Sequence, residues 1–218
     1  MRNQVDAVTS YDAVAAEYVQ RIFHELDHKP FDRQLLDRFA AEVQGLGPAA
    51  DIGCGPGHVA RYLHDRGVRV CGIDLSAQMV QHAWRLNPGI EFLKGNMMAL
   101  EVPDGAWAGI VAFYSIIHVP RNQVVAALRE LKRALQPGGI LLLAFHIGDQ
   151  VLHLDEWWER KVCLDFVFFQ SDEMATYLQT AGFTVEEVLE REPYAQDVEH
   201  QSRRSYILAR APRSAATD

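Results

Sequence analysis

An acid and three alternate glycines, Asp51, Gly53, Gly55 and Gly57, stand together in the stretch Ala49 to Gly57, AADIGCGPG. The apolar run that ends in the acid reads as a buried strand, and a helical pattern begins at His58, so the glycines fill the turn between them. Glycine accepts positive φ and lets a ligand approach the backbone, while the unpaired N–H groups at the start of a helix face whatever the turn holds. That chemistry suits a small polar ligand. Spacing narrows it further. A dinucleotide loop carries G-x-G-x-x-G, whereas here His58 stands at the third glycine's place and Gly57 comes one residue early. About twenty residues past the loop, the run Val68 to Ile73 ends at Asp74, whose carboxylate can accept both hydroxyls of a ribose. A ribose without a pyrophosphate fits both features.

Two histidines offer proton chemistry. His118 follows the fourth apolar run and His146 ends the fifth, and imidazole titrates near neutrality, so either suits a general base or a substrate contact. A structural role suits His118 better, which leaves His146 as the favoured base or substrate contact. Trp157, Trp158, Phe166, Phe168 and Phe169 crowd the segment after the fifth run, where they form either an apolar pocket for a planar acceptor or ordinary core. Arg203 and Arg204 precede the last apolar run. Alternation puts Arg203 and Ser205 on one face and Arg204 and Tyr206 on the other, with Arg203 serving either an acceptor carboxylate or a surface ion pair.

The elements that position these residues follow from alternating periods. Apolar runs at Ala49 to Ile52, Val68 to Ile73, Ile90 to Leu93, Ala108 to Tyr114 and Ile140 to Phe145 read as buried parallel strands. Helical patterns occupy His58 to Arg66, Ala77 to Leu86 and Asn122 to Leu135, stopped by Gly67, Asn87-Pro88-Gly89 and Pro137-Gly138-Gly139. Ser76 is the expected N-cap of the second. Met97 to Gly105 reads as an irregular connection. Strand and helix in this order demand a right-handed, doubly wound sheet with its ligand at the carboxyl ends of the strands. Later, Val162 to Phe169 reads as a strand, Ser171 caps a helix to Ala181, and Phe183 to Leu189 and Ser205 to Ala209 read as a closing pair.

At the glycine loop and Asp74 the chain resembles the class I S-adenosylmethionine-dependent methyltransferases, whose first motif is D/E-x-G-x-G-x-G and whose second strand ends in an acid. Tyr11-Asp12-Ala13-Val14-Ala15-Ala16-Glu17-Tyr18 is similar to the Y-D-x-x-A-x-x-Y segment of the branch that includes the ubiquinone and menaquinone methyltransferases. Gly95-Asn96-Met97 stands where that family has a Gly-Asp pair at the adenine, and Leu131 to Ile140 resembles its helix, turn and fifth strand.

The resemblance implies a Rossmann-like, seven-stranded, mostly parallel α/β sheet with an antiparallel C-terminal strand and helices on both faces. It implies S-adenosylmethionine as cofactor and S-adenosylhomocysteine as product. Asp51 then organises the methionine ammonium, Asp74 the ribose, and Leu75 and Asn96 the adenine. Cys54, Met79, Met97, Met98 and Tyr114 complete the expected cofactor set, with Tyr11 and Tyr18 closing over it as a lid or packing an N-terminal helix on the sheet. Residues 1–212 are expected to form one domain, with a helical lid region over 1–45, a substrate-side insertion over 146–170, and a disordered tail over 213–218.

Composition fits a compact enzyme: 218 residues, 49% hydrophobic and 23% charged. The net charge of −8 argues against a nucleic-acid partner, which demands clustered Lys and Arg. No apolar run approaches the ~20 residues that span a bilayer, and MRNQVDAVTS lacks the regions of a signal peptide. A cytoplasmic monomer or homodimer is the expectation. Cys54, Cys71 and Cys163 form no C-x-x-C pair, and the chain lacks the acids after strands four and five that cation-dependent relatives use, so no metal is expected. The reading is methyl transfer to O, N or C of a small organic acceptor. The alternatives are a nicotinamide oxidoreductase on a related sheet, a non-catalytic S-adenosylmethionine-binding partner, and transfer of another group from an S-adenosylmethionine derivative.

Overall fold

In the computed structural model, which describes residues 2–213, the apolar runs become the centre of one sheet. Three helical segments come first: α1 (Arg2–Ile22), a 3-10 turn (Glu25–His28) and α2 (Pro30–Val43). The chain then alternates β1 (Ala49–Ile52), α3 (His58–His64), β2 (Val70–Asp74), α4 (Ala77–Leu86), β3 (Glu91–Lys94), β4 (Trp107–Phe113), α5 (Arg121–Ala134) and β5 (Leu135–His146). A hairpin of β6 (Val151–Trp157) and β7 (Arg160–Val167) follows, and α6 (Ser171–Ala181), β8 (Thr184–Arg191) and β9 (Arg204–Arg210) close the fold.

The seven-stranded sheet has the order β3-β2-β1-β4-β5-β9-β8. Strands β1 to β5 pair in parallel, and β9 runs antiparallel to both of its neighbours. A parallel strand covered on both faces must be apolar along its length, and every residue of β1 is buried, as are all of β4 but Phe113. Leu128 and Leu131 of α5 and Met174 and Leu178 of α6 pack on one face; Leu36 and Phe39 of α2 and Val59 and Leu63 of α3 pack on the other. Strand order reverses between β1 and β4, which opens a crevice at their carboxyl ends. Helix α1 crosses that crevice, resting on β7 and α4.

Three local readings are corrected. The expected strand over Val162 to Phe169 is β7, and its partner β6 lies in a stretch with no strand signal. The hairpin turns at Trp158 and Glu159, both left-handed with φ of 51° and 62°. Such turns ordinarily carry Asn or Gly, so nothing in this pair announced one. Next, α5 passes into β5 at Leu135, and Pro137-Gly138-Gly139 lies inside the strand, where pairing with β4 slips between Trp107 and Gly109. Finally, Gln170 rather than Ser171 caps α6, in a reciprocal capping box with Glu173. Ser76 does cap α4, accepting the Met79 N–H. Of the expected tail, residues 214–218 lie outside the described residues. Among those described, no helix is long and apolar enough to cross a membrane.

Candidate active site

The glycine loop is shaped by close packing as much as by its ligand. Gly53 has φ of 73°, and a Cβ there would lie 2.2 Å from Ser115 Cβ; at Gly57, with φ of 81°, it would lie 2.6 Å from the Phe92 ring. Neither position accepts a side chain. Asp74 then locks the loop from the end of β2. Its Oδ2 accepts the Gly55 N–H and its Oδ1 the Ser76 N–H, both at 2.8 Å. Burial raises its pKa against the opposing pull of these bonds. Asp51 is buried at the end of β1, where its Oδ2 accepts the Ala60 N–H of α3 at 3.1 Å. Burial raises its pKa to about 7.

Above the loop is a cavity enclosing about 880 Å³ of empty space, its mouth included. Its wall gathers side chains and backbone from six segments: Tyr11 and Tyr18 of α1, Gly53 and Gly55, Asp74 with Leu75 and Met79, Asn96 with Met97, Tyr114, and His118. Asn96 turns its Oδ1 to the Met98 N–H at 2.9 Å, which holds the short connection after β3 against the cavity. Tyr114, with φ of 53°, is the left-handed residue that ends β4 and turns its ring into the wall. Ser115 follows, its Oγ buried in the wall with no hydrogen-bond partner among the described residues.

An aromatic roof covers the cavity. Tyr11 and Tyr18, seven apart on α1, meet edge to face at 5.9 Å, and both contact Trp157 of the hairpin at 6.0 and 5.8 Å. His118 fastens this roof. Its Nδ1 lies 3.0 Å from the Asp165 carbonyl, which can only accept, so Nδ1 carries the proton and Nε2 accepts the Tyr11 hydroxyl at 2.8 Å. Burial pulls the His118 pKa down to about 4. Asp12 adds a second tie, its Oδ1 accepting the Ser76 hydroxyl and the Gln78 N–H.

Behind Tyr114 is a buried ionic network. Lys29 lies 2.7 Å from Glu25 and 3.6 Å from Glu199, and Arg204 also lies 3.6 Å from Glu199. Arg191 bridges Glu199 and Asp32. The Tyr206 hydroxyl donates to Asp32 at 3.0 Å, so its oxygen accepts from Arg191 and from Tyr114. His146 borders this network. Its ring stacks on Phe168 at 4.9 Å, its Nδ1 lies 2.8 Å from Ser202 Oγ, and burial, reinforced by the charge of Arg204, depresses its pKa to about 2.

The structure thus brings together eleven of the expected site residues around one cavity: Tyr11, Tyr18, Gly53, Gly55, Asp74, Leu75, Met79, Asn96, Met97, Tyr114 and His118. It leaves others outside the wall. Asp51 and Gly57 sit beneath the loop, Cys54 is buried with its thiol toward the Gly55 carbonyl, and Met98 packs into the core. Trp157 belongs to the roof, while His146 and Phe168 stack on each other outside the lining, with the His146 ring 5.3 Å from that of Tyr114 in the wall. Arg203 is a correction: half exposed, it pairs with Glu190 and Glu192 on the surface, because the β9 register turns Arg204 inward instead. Ala7, Val8, Ser115 and Val119 join the wall unforeseen, alongside Ile52, Ile73, Ser76, Gly95 and Phe113. Ala7, Val8 and Val119 carry no chemical signal, but Ser115, one residue past Tyr114 at the end of β4, could have been found by position.

An acid, a glycine loop and an amide line one cavity at the switch point of this strand order, the arrangement that the resemblance to class I S-adenosylmethionine-dependent methyltransferases implies. Residues 49–139 match the family model described as a methyltransferase domain. The chain is 28% identical over 152 residues to a malonyl-[acyl-carrier protein] O-methyltransferase of Enterobacter lignolyticus, covering 67% of this chain and 58% of the relative. It is 39% identical over 118 residues to the 2-methyl-6-phytyl-1,4-hydroquinone methyltransferase of Synechocystis, covering 51% of this chain and 36% of that one. The chain therefore spans less than two thirds of the length of these relatives. Among solved structures, the DhpI–SAH complex superposes with a TM-score of 0.74 at 21% identity, covering 96% of this chain and 97% of that one, a likeness of fold. The match to a methyltransferase domain indicates S-adenosylmethionine as the methyl donor.

Proposed function

We propose that the protein transfers the methyl group of S-adenosylmethionine to a small organic acceptor that arrives already nucleophilic. The cofactor, when bound, supplies an electrophilic methyl group on a cationic sulfonium, so the departing thioether needs no proton. Asp74 holds the ribose, Leu75, Met79, Asn96 and Met97 enclose the adenine, and the backbone of Gly53 and Gly55 leaves room for the methionine portion. Asp51, through its hold on α3, sets the field at the ammonium. Tyr11 and Tyr18 exclude water from above, and Tyr114 presents its ring on the β4 side. The acceptor's lone pair forms the new bond to carbon as the S–CH3 pair returns to sulfur.

The observation that carries the second half of this reading is the state of His118. Both of its nitrogens are engaged, and its pKa of about 4 makes it a poor base at neutrality. His146, depressed to about 2, is poorer still. A site so arranged favours an acceptor that is ionised without help, as a carboxylate is. The malonyl-[acyl-carrier protein] O-methyltransferases among the relatives are named for methylation at oxygen, which accords with this class.

The test is a turnover screen of small carboxylic acids, acidic phenols and amines, read as S-adenosylhomocysteine release. With S-adenosylmethionine saturating, so that Asp51 stays ionised in the complex, acids should be methylated with a rate that is flat from about pH 6 to 9. A rate controlled by a group titrating near pH 7, and abolished in His118→Phe, would refute the base-free reading.

A further inference from the structure

His146 carries a fixed tautomer that turns it into a hydrogen-bond donor. Arg204, 2% exposed, points Nη1 at the Ser202 carbonyl and hydroxyl oxygens and Nη2 at the His200 carbonyl. A Ser202 oxygen that accepts from a guanidinium still has its own proton to give, and His146 Nδ1 lies 2.8 Å away. Nδ1 therefore accepts, and the imidazole proton sits on Nε2. The other tautomer would aim an N–H at an oxygen already facing a cation and strand the serine proton. Among the described residues Nε2–H has no partner. The ring is held between Phe168 at 4.9 Å and Tyr114 at 5.3 Å.

Two cations of the ionic network, Lys29 paired with Glu25 and Arg204 beside Glu199, approach the same place. The Lys29 ammonium and the Arg204 guanidinium each lie 5.5 Å from the centre of the Tyr114 ring, which forms part of the cavity wall. Lys29 is 4% exposed, and among the described residues Arg204 Nε is buried with no hydrogen-bond partner, as is Ser115 Oγ beside Tyr114. Burial lowers the basicity of His146, and the charges of Arg204 and Lys29 push it the same way.

We propose that the corner between Tyr114 and His146 is an anion subsite, where His146 Nε2–H donates to a carboxylate of the acceptor under the field of Arg204 and Lys29. This rests on the methyl-transfer reading and assigns the acceptor class: an organic acid. His146 is a binding residue there, and not a base.

The experiment compares acids with their uncharged isosteres. With S-adenosylhomocysteine saturating, benzoate and octanoate are titrated against benzamide and octanamide by calorimetry. The acids should bind at least ten times more tightly than the amides. His146→Phe, which keeps the stacking and loses the N–H, should abolish that preference, while His146→Gln, which keeps a donor, should retain most of it. Should His146→Phe fail to fold, Ser202→Ala releases the tautomer and should weaken the preference. In the wild type, 15N spectra of labelled histidine should show a protonated Nε2 and an unprotonated Nδ1 at His146. Equal binding of acid and amide, no binding of either, a preference that survives in His146→Phe, or a protonated Nδ1 overturns the proposal. Failure of S-adenosylhomocysteine to bind strikes the methyl-transfer reading instead, and the acid–amide comparison on the ligand-free protein still decides the subsite.

Discussion

Removing the Tyr11 hydroxyl isolates the fastening of the roof. In Tyr11→Phe the ring stays and only the donor to His118 Nε2 is lost, since that bond, at 2.8 Å, is the hydroxyl's link to the histidine. His118 cannot swing to another donor: its Nδ1 is bound to Asp165 and its ring is walled by Phe166 at 5.0 Å. A buried acceptor left without a donor costs about 1–3 kcal/mol, and a chain of this length loses ~2–4 °C of melting temperature per kcal/mol. Tyr11→Phe should therefore melt about 2–12 °C lower. His118→Phe should cost more, since it also abandons the Asp165 carbonyl. The double variant removes donor and acceptor together and should cost less than the sum by about 1–2 kcal/mol. Urea unfolding of the four proteins measures the coupling. Additivity within ~0.5 kcal/mol would show that the two side chains do not depend on each other, and the roof would need another explanation.

Linked protonation gives two further outcomes. Asp51 has its folded pKa raised from the carboxylate value to about 7, so its contribution to stability is fully present below pH ~4 and is lost as pH rises through 7. The stability of wild type relative to Asp51→Asn should fall over that window by up to about 1.4 kcal/mol per pH unit, and a difference that rises would contradict it. His118 runs the other way: its folded pKa of about 4 lies below the ordinary histidine value, so its share is present above pH ~6.5 and lost on acidification towards 4. Binding of S-adenosylhomocysteine, whose ammonium favours ionised Asp51, should release a fraction of a proton near pH 6.5. Calorimetry in two buffers of different ionisation enthalpy detects it, and release unchanged in Asp51→Asn would rule Asp51 out as its source. Gly53→Ala should lose ligand binding and melt earlier, because its Cβ would lie 2.2 Å from Ser115 Cβ at a φ of 73°; unchanged melting would refute the packing argument.

The sheet and its loop were legible because local chemistry marks them. Buried parallel strands must be continuous apolar runs, Gly53 and Gly57 announce a backbone no other residue tolerates, and Asp74 is a lone acid at the end of such a run. What stayed hidden depended on tertiary pairing. The β6–β7 hairpin turns on Trp158 and Glu159, which share no residue preference with such turns. Arg203 and Arg204 are chemically identical neighbours, and only the pairing of His146 with Arg204 decides which one enters the core. The network of Lys29, Asp32, Arg191, Glu199 and Tyr206 joins residues up to 174 positions apart, so no spacing in the sequence could reveal it. The state of the histidines was illegible for the same reason: the sequence suggests a base, while the Asp165 carbonyl and Ser202 that quench the role come from distant segments.

The most direct measurement is calorimetric titration of the purified protein with S-adenosylmethionine, S-adenosylhomocysteine and NADH, repeated on Asp74→Ala. Asp74 faces the cavity and accepts two backbone N–H groups at 2.8 Å, that of Gly55 in the loop and that of Ser76 before α4. Binding of both adenosyl ligands should be saturable in the wild type and weakened at least ~10-fold in the variant, as loss of one charge-assisted hydrogen bond alone implies. Binding of NADH without either adenosyl ligand would contradict the assignment of this cavity to a methyl donor.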